Sequence, residues 1–374
     1  MLYKNFKGLS LSALGLGCMR LPVTGNNSAI DEEMTAQMVE YAMQNGINYY
    51  DTAWGYHGGN SETVIGRILN KYDRKNYYIA TKFPGYDLSN MENAPEIFEK
   101  QLQKTGMEYF DFYLIHNVSE KNINQYLDPK YNIVPYLLEQ KKAGRIKHLG
   151  FSAHAKTSEM ERFLRAYGEH MEFCQIQLNW MDWDLQDAKG KVELLRRYGL
   201  PVWVMEPLRG GRLATLSDKY LKQLSQLRSE SVPAWGFRFL QSVPDVVVTL
   251  SGMSNMEQLK ENIEIFKTEK PTTESENRVL FDIAREMSAA VPCTACRYCT
   301  EYCPMGLDIP DLINMYNQEV FTPGGFLIKM QLGAMDKEKH PSSCIGCRAC
   351  EKVCPQLIKI PDVLRDLCEK TEKK

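Results

Sequence analysis

The chain has 374 residues, 44% of them hydrophobic and 25% charged, and a formal net charge of −2. That length holds a barrel of about 250 residues plus a smaller domain. The near-neutral balance argues against a nucleic-acid footprint or attraction to acidic membranes, and no apolar run approaches the roughly 20 residues that span a bilayer.

Lys4 and Lys7 precede "LSLSALGLGCM", which has the look of a short signal peptide. Ser10, Ser12, Gly15 and Gly17 break the apolar stretch, and no Ala-x-Ala site follows. A lipoprotein box would want Leu where Gly15 stands, so the stretch is expected to be a first strand and the protein cytoplasmic. Strand-like runs follow at 13–19, 47–53, 77–83, 110–116, 146–152, 173–179, 201–207 and 245–251. Helical patterns lie between them, such as 61–72, with Ser61 as the expected cap, and 157–168, ending in Gly168. Eight such alternations close naturally into a (β/α)8 TIM barrel, an α/β fold.

The pattern then changes. A barrel is expected over 1–268, and a helical linker over 269–290 with Thr272 or Thr273 near its cap. Residues 291–374 should form a small, mainly helical domain. Of eleven cysteines, eight fall in "CTACRYCTEYCP" (293–304) and "CIGCRACEKVCP" (344–355), each followed by a helix beginning Ile-Pro-Asp, at 309–311 and 360–362. A chain of this length is not a disulfide scaffold.

In a barrel of this kind catalytic groups sit at the C-terminal strand ends. Asp51, Lys82 and His116 end the second, third and fourth strands, and Tyr56 lies in the loop after Asp51. Together they suit carbonyl reduction. Lys82 is expected to draw the phenol of Tyr56 down from its free value of about 10 towards neutrality, with Asp51 as counter-charge. His116 would orient the carbonyl oxygen, and Tyr56 would protonate it as hydride reaches carbon from a nicotinamide.

The segments "DTAWGYHGGNSE", "ATKFP", "LIHN", "LGFSAH", "CQIQLNW" and "SGMSNMEQLKENI" resemble the aldo–keto reductases over residues 1–265. The resemblance implies that Asp51, Tyr56, Lys82 and His116 are the catalytic tetrad. It implies that Ser152 and Gln175 hold the nicotinamide carboxamide, and that Glu261 and Asn262 bind the adenine end. The strand-eight loop with Gly252 and the helix after it would lie near the phosphates. Three positions depart from the family. Ala153 stands where Asn is common, Met205 where an aromatic stacks on the nicotinamide, and Gln258 where an Arg often grips a 2′-phosphate. NADP and NAD therefore both stay open, as does a flavin, which such a barrel can hold without a fingerprint.

Cys293, Cys296, Cys299 and Cys303, then Cys344, Cys347, Cys350 and Cys354, repeat the bacterial ferredoxin spacing with its trailing proline. Zinc also uses Cys-x2-Cys pairs but seldom four cysteines in one run, twice. Two [4Fe-4S] clusters are expected, with the fourth cysteine crossing over: Cys293, Cys296 and Cys299 with Cys354, and Cys344, Cys347 and Cys350 with Cys303. The 40 residues between the runs, 304–343, make this part similar to helical ferredoxin domains. The whole resembles the aldo–keto reductase branch with a C-terminal 4Fe–4S domain.

The leading expectation is an oxidoreductase interconverting a small-molecule carbonyl and alcohol, coupled to the two clusters and to a redox partner protein. One alternative is an ordinary NAD(P)H-dependent reductase with structural or docking clusters. A second is an electron-transfer module whose barrel does no chemistry. Substrate choice is assigned to loops 84–95, 117–133 and 205–214, with Trp54, Trp180 and Trp183 as candidate pocket walls. Arg209 and Arg212 are candidates for a phosphate or acidic substrate, with a solvated loop as the equal alternative, and Cys18 faces the expected site from the end of the first strand. The oligomeric state is left open.

Overall fold

The alternating signals correspond, in the computed structural model, to eight parallel strands closed into a barrel. All residues are described except 26–28, 289, 292, 294–296, 355 and 373–374, together with the side chain of Tyr298. The barrel strands are β1 (Leu14–Gly17), β2 (Tyr49–Asp51), β3 (Tyr78–Phe83), β4 (Phe110–Val118), β5 (Ile146–Ala153), β6 (Cys174–Gln177), β7 (Val202–Met205) and β8 (Val246–Ser251). β8 pairs back onto β1, with Thr249 opposite Leu14. No edge strand remains in the barrel. Among the described residues no helix is long and apolar enough to cross a membrane.

The stretch weighed as a signal peptide contains more than β1. Tyr3–Phe6 and Leu9–Ser12 form an antiparallel hairpin ahead of it, turning at Lys7 and Gly8, whose φ values are +50° and +88°. Positive φ at both turn residues is the hairpin geometry that matches strand twist, and glycine takes it freely. The hairpin delivers Phe6 into the aromatic interior of the barrel, 5.0 Å from Trp203 and 5.8 Å from Phe112 between ring centroids. Phe6, Phe112, Phe173 and Trp203 are buried together. This end of the barrel is therefore packed solid, which leaves the opposite rim for chemistry.

Register sets that rim. Gly17 lies opposite Asp51, Asp51 opposite Ala80, and Lys82 opposite Leu114. The helix Ser61–Leu69 is anchored from below by Glu62, which is fully buried and accepts from Thr81 Oγ1, Gln101 Nε2 and Lys104 Nζ, each at 2.6 Å. Ser61, expected as the cap, is the first helical residue; Asn60 precedes it. The Ser61 hydroxyl instead meets Thr52 Oγ1 at 2.9 Å and the Cys18 carbonyl at 3.1 Å.

The chain divides into two compact units, Met1–Asn277 and Arg278–Lys374. The helix Glu274–Ser288 is capped by Thr273. The Glu276 N–H donates to Thr273 Oγ1 at 3.3 Å and the Thr273 N–H to Glu276 Oε2 at 2.8 Å, a reciprocal capping box. In the second unit the cysteine repeat becomes a structural repeat. Arg297 and Arg348, both left-handed, precede short helices Tyr298–Glu301 and Ala349–Lys352. Longer helices Ile309–Phe321 and Ile360–Glu372 follow, each with Pro in its first turn where a missing N–H costs nothing. Helix Phe326–Ala334 fills the interval between the runs. Buried Leu312, Ile313, Leu364 and Leu367 join the two halves in one core with Cys299 and Cys350.

Phe6→Ala should lower stability by about 3–5 kcal/mol, the usual range for emptying a buried aromatic site. Chemical denaturation followed at the barrel tryptophans checks this, and the far rim should keep its geometry in the folded fraction.

Candidate active site and candidate cluster centre

The loop after β2 and the ends of β3 and β4 bring the four rim residues together. Lys82 is fully buried and Asp51 is 2% exposed. The Lys82 ammonium donates to Asp51 Oδ1 at 2.6 Å, to the Thr52 carbonyl at 2.7 Å and to Tyr56 Oη at 3.3 Å. All three of its protons are thereby placed. The Tyr56 ring lies 4.9 Å from the same ammonium and 6.3 Å, edge to face, from the His116 ring.

Burial works against the Lys82 charge, but Asp51 and Tyr56 outweigh it, so the ammonium is held above its ordinary range. The phenol departs from the expectation. Burial is the largest influence on Tyr56 and raises its pKa; Lys82 pulls it down, while Asp51 and Cys18 push it up again. The net direction is upward, because burial outweighs the pull of Lys82, and Asp51 offsets part of that pull. Tyr56 is therefore held fully protonated at neutral pH. His116 is driven well below its ordinary value, by burial first and then by Lys82 and His154. It is a neutral imidazole, and its buried Nδ1 has no hydrogen-bond partner among the described residues.

Residues the sequence reading did not single out hold this set in place. The buried hydroxyl of Tyr126 donates to the His116 carbonyl at 2.8 Å. Tyr86 packs edge-on to His116 at 5.3 Å. Two glycines make room for these tyrosines: an added Cβ would lie 2.3 Å from Tyr86 Oη at Gly55 and 2.0 Å from Tyr126 Oη at Gly85. Asn122 donates to the carbonyls of Gly85 and Asn117, both at 2.9 Å, tying the β3 and β4 loops together. The signal available was "KFPGY", a glycine and an aromatic just beyond Lys82.

The residues expected at the cofactor divide. Ser152 Oγ accepts the Asn117 N–H at 2.8 Å, and Gln175 Nε2 reaches Met205 Sδ at 3.7 Å while its buried Oε1 has no partner among the described residues. Ala153 is buried in the same strand end. Gly252 faces the Arg20 side chain, 3.1 Å from where a Cβ would stand. The Gln258 carboxamide accepts the Ser254 N–H at 2.8 Å, at the start of helix Met256–Ile265. Asn262 is buried and donates to Ser251 Oγ at 3.1 Å, whereas Glu261 is partly exposed.

Other candidates move. Arg209 is neither a solvated loop residue nor aimed at an open anion site. It is 4% exposed and donates to Asp182 Oδ1 at 2.7 Å, and Asp182 also accepts from Gln177 and Asn179. Arg212 is exposed. Trp180 belongs to the core at 1% exposure, Trp183 packs on Phe239, and Trp54 lies under Lys104. Cys18 is buried beside Asp51, and burial pushes its thiol pKa far up, so it is chemically quiet.

In the second unit, Cys303 from the first run and Cys344, Cys347 and Cys350 from the second line one small, partly open hollow. Burial pushes the Cys350 thiol up to about 11, and Cys344, Cys347 and Cys299 add to it. Cys299, raised by burial, is acted on by Cys293 and Cys354. Cys296 and Pro355 lie outside the described residues. Among the described residues no three His, Cys, Asp or Glu side chains gather tightly enough for one metal ion. Thiolates are soft ligands suited to iron–sulfur chemistry, and the four that line this hollow are of the kind such a group would use.

The aldo/keto reductase family model matches residues 13–279, and a 4Fe-4S dicluster domain matches residues 292–360. The chain belongs to the aldo/keto reductase family, as an oxidoreductase with a C-terminal 4Fe-4S ferredoxin-type domain. It is similar to a probable aldo-keto reductase 1 of Glycine max, 28% identical over 214 residues, spanning 55% of this chain and 58% of that protein. It is also similar to the NADH-specific methylglyoxal reductase of Escherichia coli K12, 25% identical over 302 residues, spanning 68% of this chain and 90% of that protein. Among solved structures, the holo form of an aldo-keto reductase from Bacillus halodurans aligns with a TM-score of 0.60 at 22% identity, covering 74% of this chain and 93% of that one. A Klebsiella pneumoniae aldo-keto reductase in complex with NADPH gives 0.58 at 19%, covering 76% and 96%. These likenesses show the barrel fold.

Tyr126→Phe leaves the His116 carbonyl without its donor. Stability should fall by about 1–2 kcal/mol, and kcat for carbonyl reduction should drop several-fold with KM little changed, as steady-state kinetics on the folded variant would show.

Proposed function

We propose that the barrel interconverts a small carbonyl compound and its alcohol, with Tyr56 as proton donor, and that two [4Fe-4S] clusters exchange electrons with this reaction. The observation that carries the first part is the Lys82 ammonium with Asp51 at 2.6 Å and Tyr56 at 3.3 Å on one rim. A bound nicotinamide would supply or accept hydride at the carbonyl carbon. For it the chain offers an orphaned acceptor at Gln175 Oε1, the Ser152 hydroxyl beside it, and the Met205 thioether in place of an aromatic ring. Gln258, turned back onto its own loop, supports no preference for a 2′-phosphate. The NADH specificity in the Escherichia coli relative's name makes NAD a cofactor to test alongside NADP.

In the reducing direction His116, neutral, donates a hydrogen bond to the carbonyl oxygen and fixes its orientation. Tyr56 then gives its proton to that oxygen, and Lys82 stabilises the phenolate left behind. In the oxidising direction the same atoms run in reverse, the phenolate taking the hydroxyl proton.

Cluster binding is assigned to Cys293, Cys296, Cys299 and Cys354, and to Cys344, Cys347, Cys350 and Cys303. The hollow that Cys303 shares with the second run supports the crossed arrangement. A carbonyl–alcohol step moves a hydride, and a cluster exchanges single electrons, so a flavin between them would take the hydride and pass one electron to each of two clusters.

The test is anaerobic. The purified protein should contain iron and sulfide for two clusters, and an alcohol that it oxidises should bleach the cluster absorption. Tyr56→Phe should abolish that bleaching while leaving the iron content unchanged. Full NADH- or NADPH-dependent turnover that is indifferent to cluster loss would instead favour clusters that are structural.

A further inference from the structure

The turn that carries Tyr56 has an unusual backbone for the residues in it. His57 (φ 51°, ψ 46°), Gly58 (φ 62°, ψ 26°) and Gly59 (φ 91°) are consecutively left-handed. Glycine adopts this region freely; a histidine there is held under strain, and such strain persists only where the surroundings fix it. The fixing contact is on the side chain. His57 Nε2 accepts the Leu21 N–H at 3.1 Å, just past the turn Cys18–Arg20 that follows β1. The His57 carbonyl in turn accepts from Asn60 N and Asn60 Nδ2, both at 3.2 Å. Neither loop is held to the other by barrel strand pairing, since β1 and β2 pair only up to Gly17 and Asp51.

We propose that His57 is a positioning residue, whose imidazole clamps the β2 loop to the β1 loop so that the Tyr56 hydroxyl meets Lys82. This rests on the reading of Tyr56 as proton donor. The clamp has a chemical requirement: Nε2 accepts only while it carries no proton, with the ring hydrogen on Nδ1. Burial lowers the His57 pKa and so favours that form. The charged and titratable groups on the packed elements are Cys18 and Arg20 in the facing turn and Glu62 and Arg67 in helix Ser61–Leu69. Glu62 is engaged by Thr81, Gln101 and Lys104, and Arg67 by Glu32. The sign follows from a depressed folded value. The clamp is whole above the free histidine value of about 6.5 and is lost as pH falls through the lower folded value, when an N–H would face an N–H.

The experiment uses the full chain, purified anaerobically, with methylglyoxal as probe carbonyl and NADH or NADPH as reductant. His57→Ala should lower kcat about ten- to a hundredfold, the scale of a small misplacement of a reacting group, with KM within about twofold. His57→Gly, which relieves the backbone but has no acceptor, should be equally slow. His57→Gln, which restores an acceptor that cannot be protonated, should recover most of kcat and move the acid limb of its pH profile lower, towards the value set by His116. His57→Ala and His57→Gly with parental kcat and pH profile, beside an inactive Tyr56→Phe, would overturn the proposal. If His57→Ala does not fold, a parental acid limb in His57→Gln overturns it just as well. A fully active Tyr56→Phe sinks the proton-donor reading instead.

Discussion

A lysine ammonium without access to water, held at 2.6 Å by one carboxylate, is the constraint around which the barrel rim is arranged. Such a pair persists only if its partners are placed before the charge is buried, because either member alone would be expelled or neutralised. Strand register supplies that placement. Asp51 ends β2, Lys82 lies one strand over in β3, and the Thr52 carbonyl takes a second proton of the ammonium. Beneath it, Glu62 fastens the following helix to Thr81 in the same strand. The packed aromatic plug around Phe6 and Trp203 closes the other end.

Within that frame the electrostatics work by cancellation. Asp51 keeps Lys82 charged and thereby weakens what Lys82 can do to the phenol, so burial decides the direction for Tyr56. The same burial keeps His116 neutral. The rim thus offers one compensated ion pair and two neutral hydrogen-bond donors, which suits giving a proton to a developing alkoxide more than drawing one from solvent. In the proposed reaction the ammonium's larger contribution would come once the proton has left, when it would face a phenolate.

The strands were legible because each is a short apolar run bounded by turn residues, and Asp51, Lys82 and His116 could be read as neighbours because they end consecutive strands. What stayed hidden depends on contacts between loops. The N-terminal hairpin went unseen because its alternation is weak and its Lys-Gly turn is a faint signal. Tyr86 and Tyr126 act on His116 through space that Gly55 and Gly85 leave open. Arg209 looked like an anion ligand because a sequence shows a charge and not the Asp182 that neutralises it. The direction of the Tyr56 shift was misjudged for a related reason: the neighbouring cation is visible in a sequence, and desolvation is not. In the second unit the repeat carried more, since its spacing, its left-handed arginines and its Ile-Pro-Asp helices all recur.

The rim stands on the mutual dependence of Asp51 and Lys82, and a double-mutant cycle measures it directly. Asp51→Asn, Lys82→Met and the double variant would be compared for unfolding midpoint and for carbonyl turnover. Each single variant should be inactive and destabilised by about 3–5 kcal/mol, while the double variant should regain much of the lost stability and none of the turnover. Single effects that simply add, or an Asp51→Asn protein that keeps parental turnover, would contradict a site built on that buried pair.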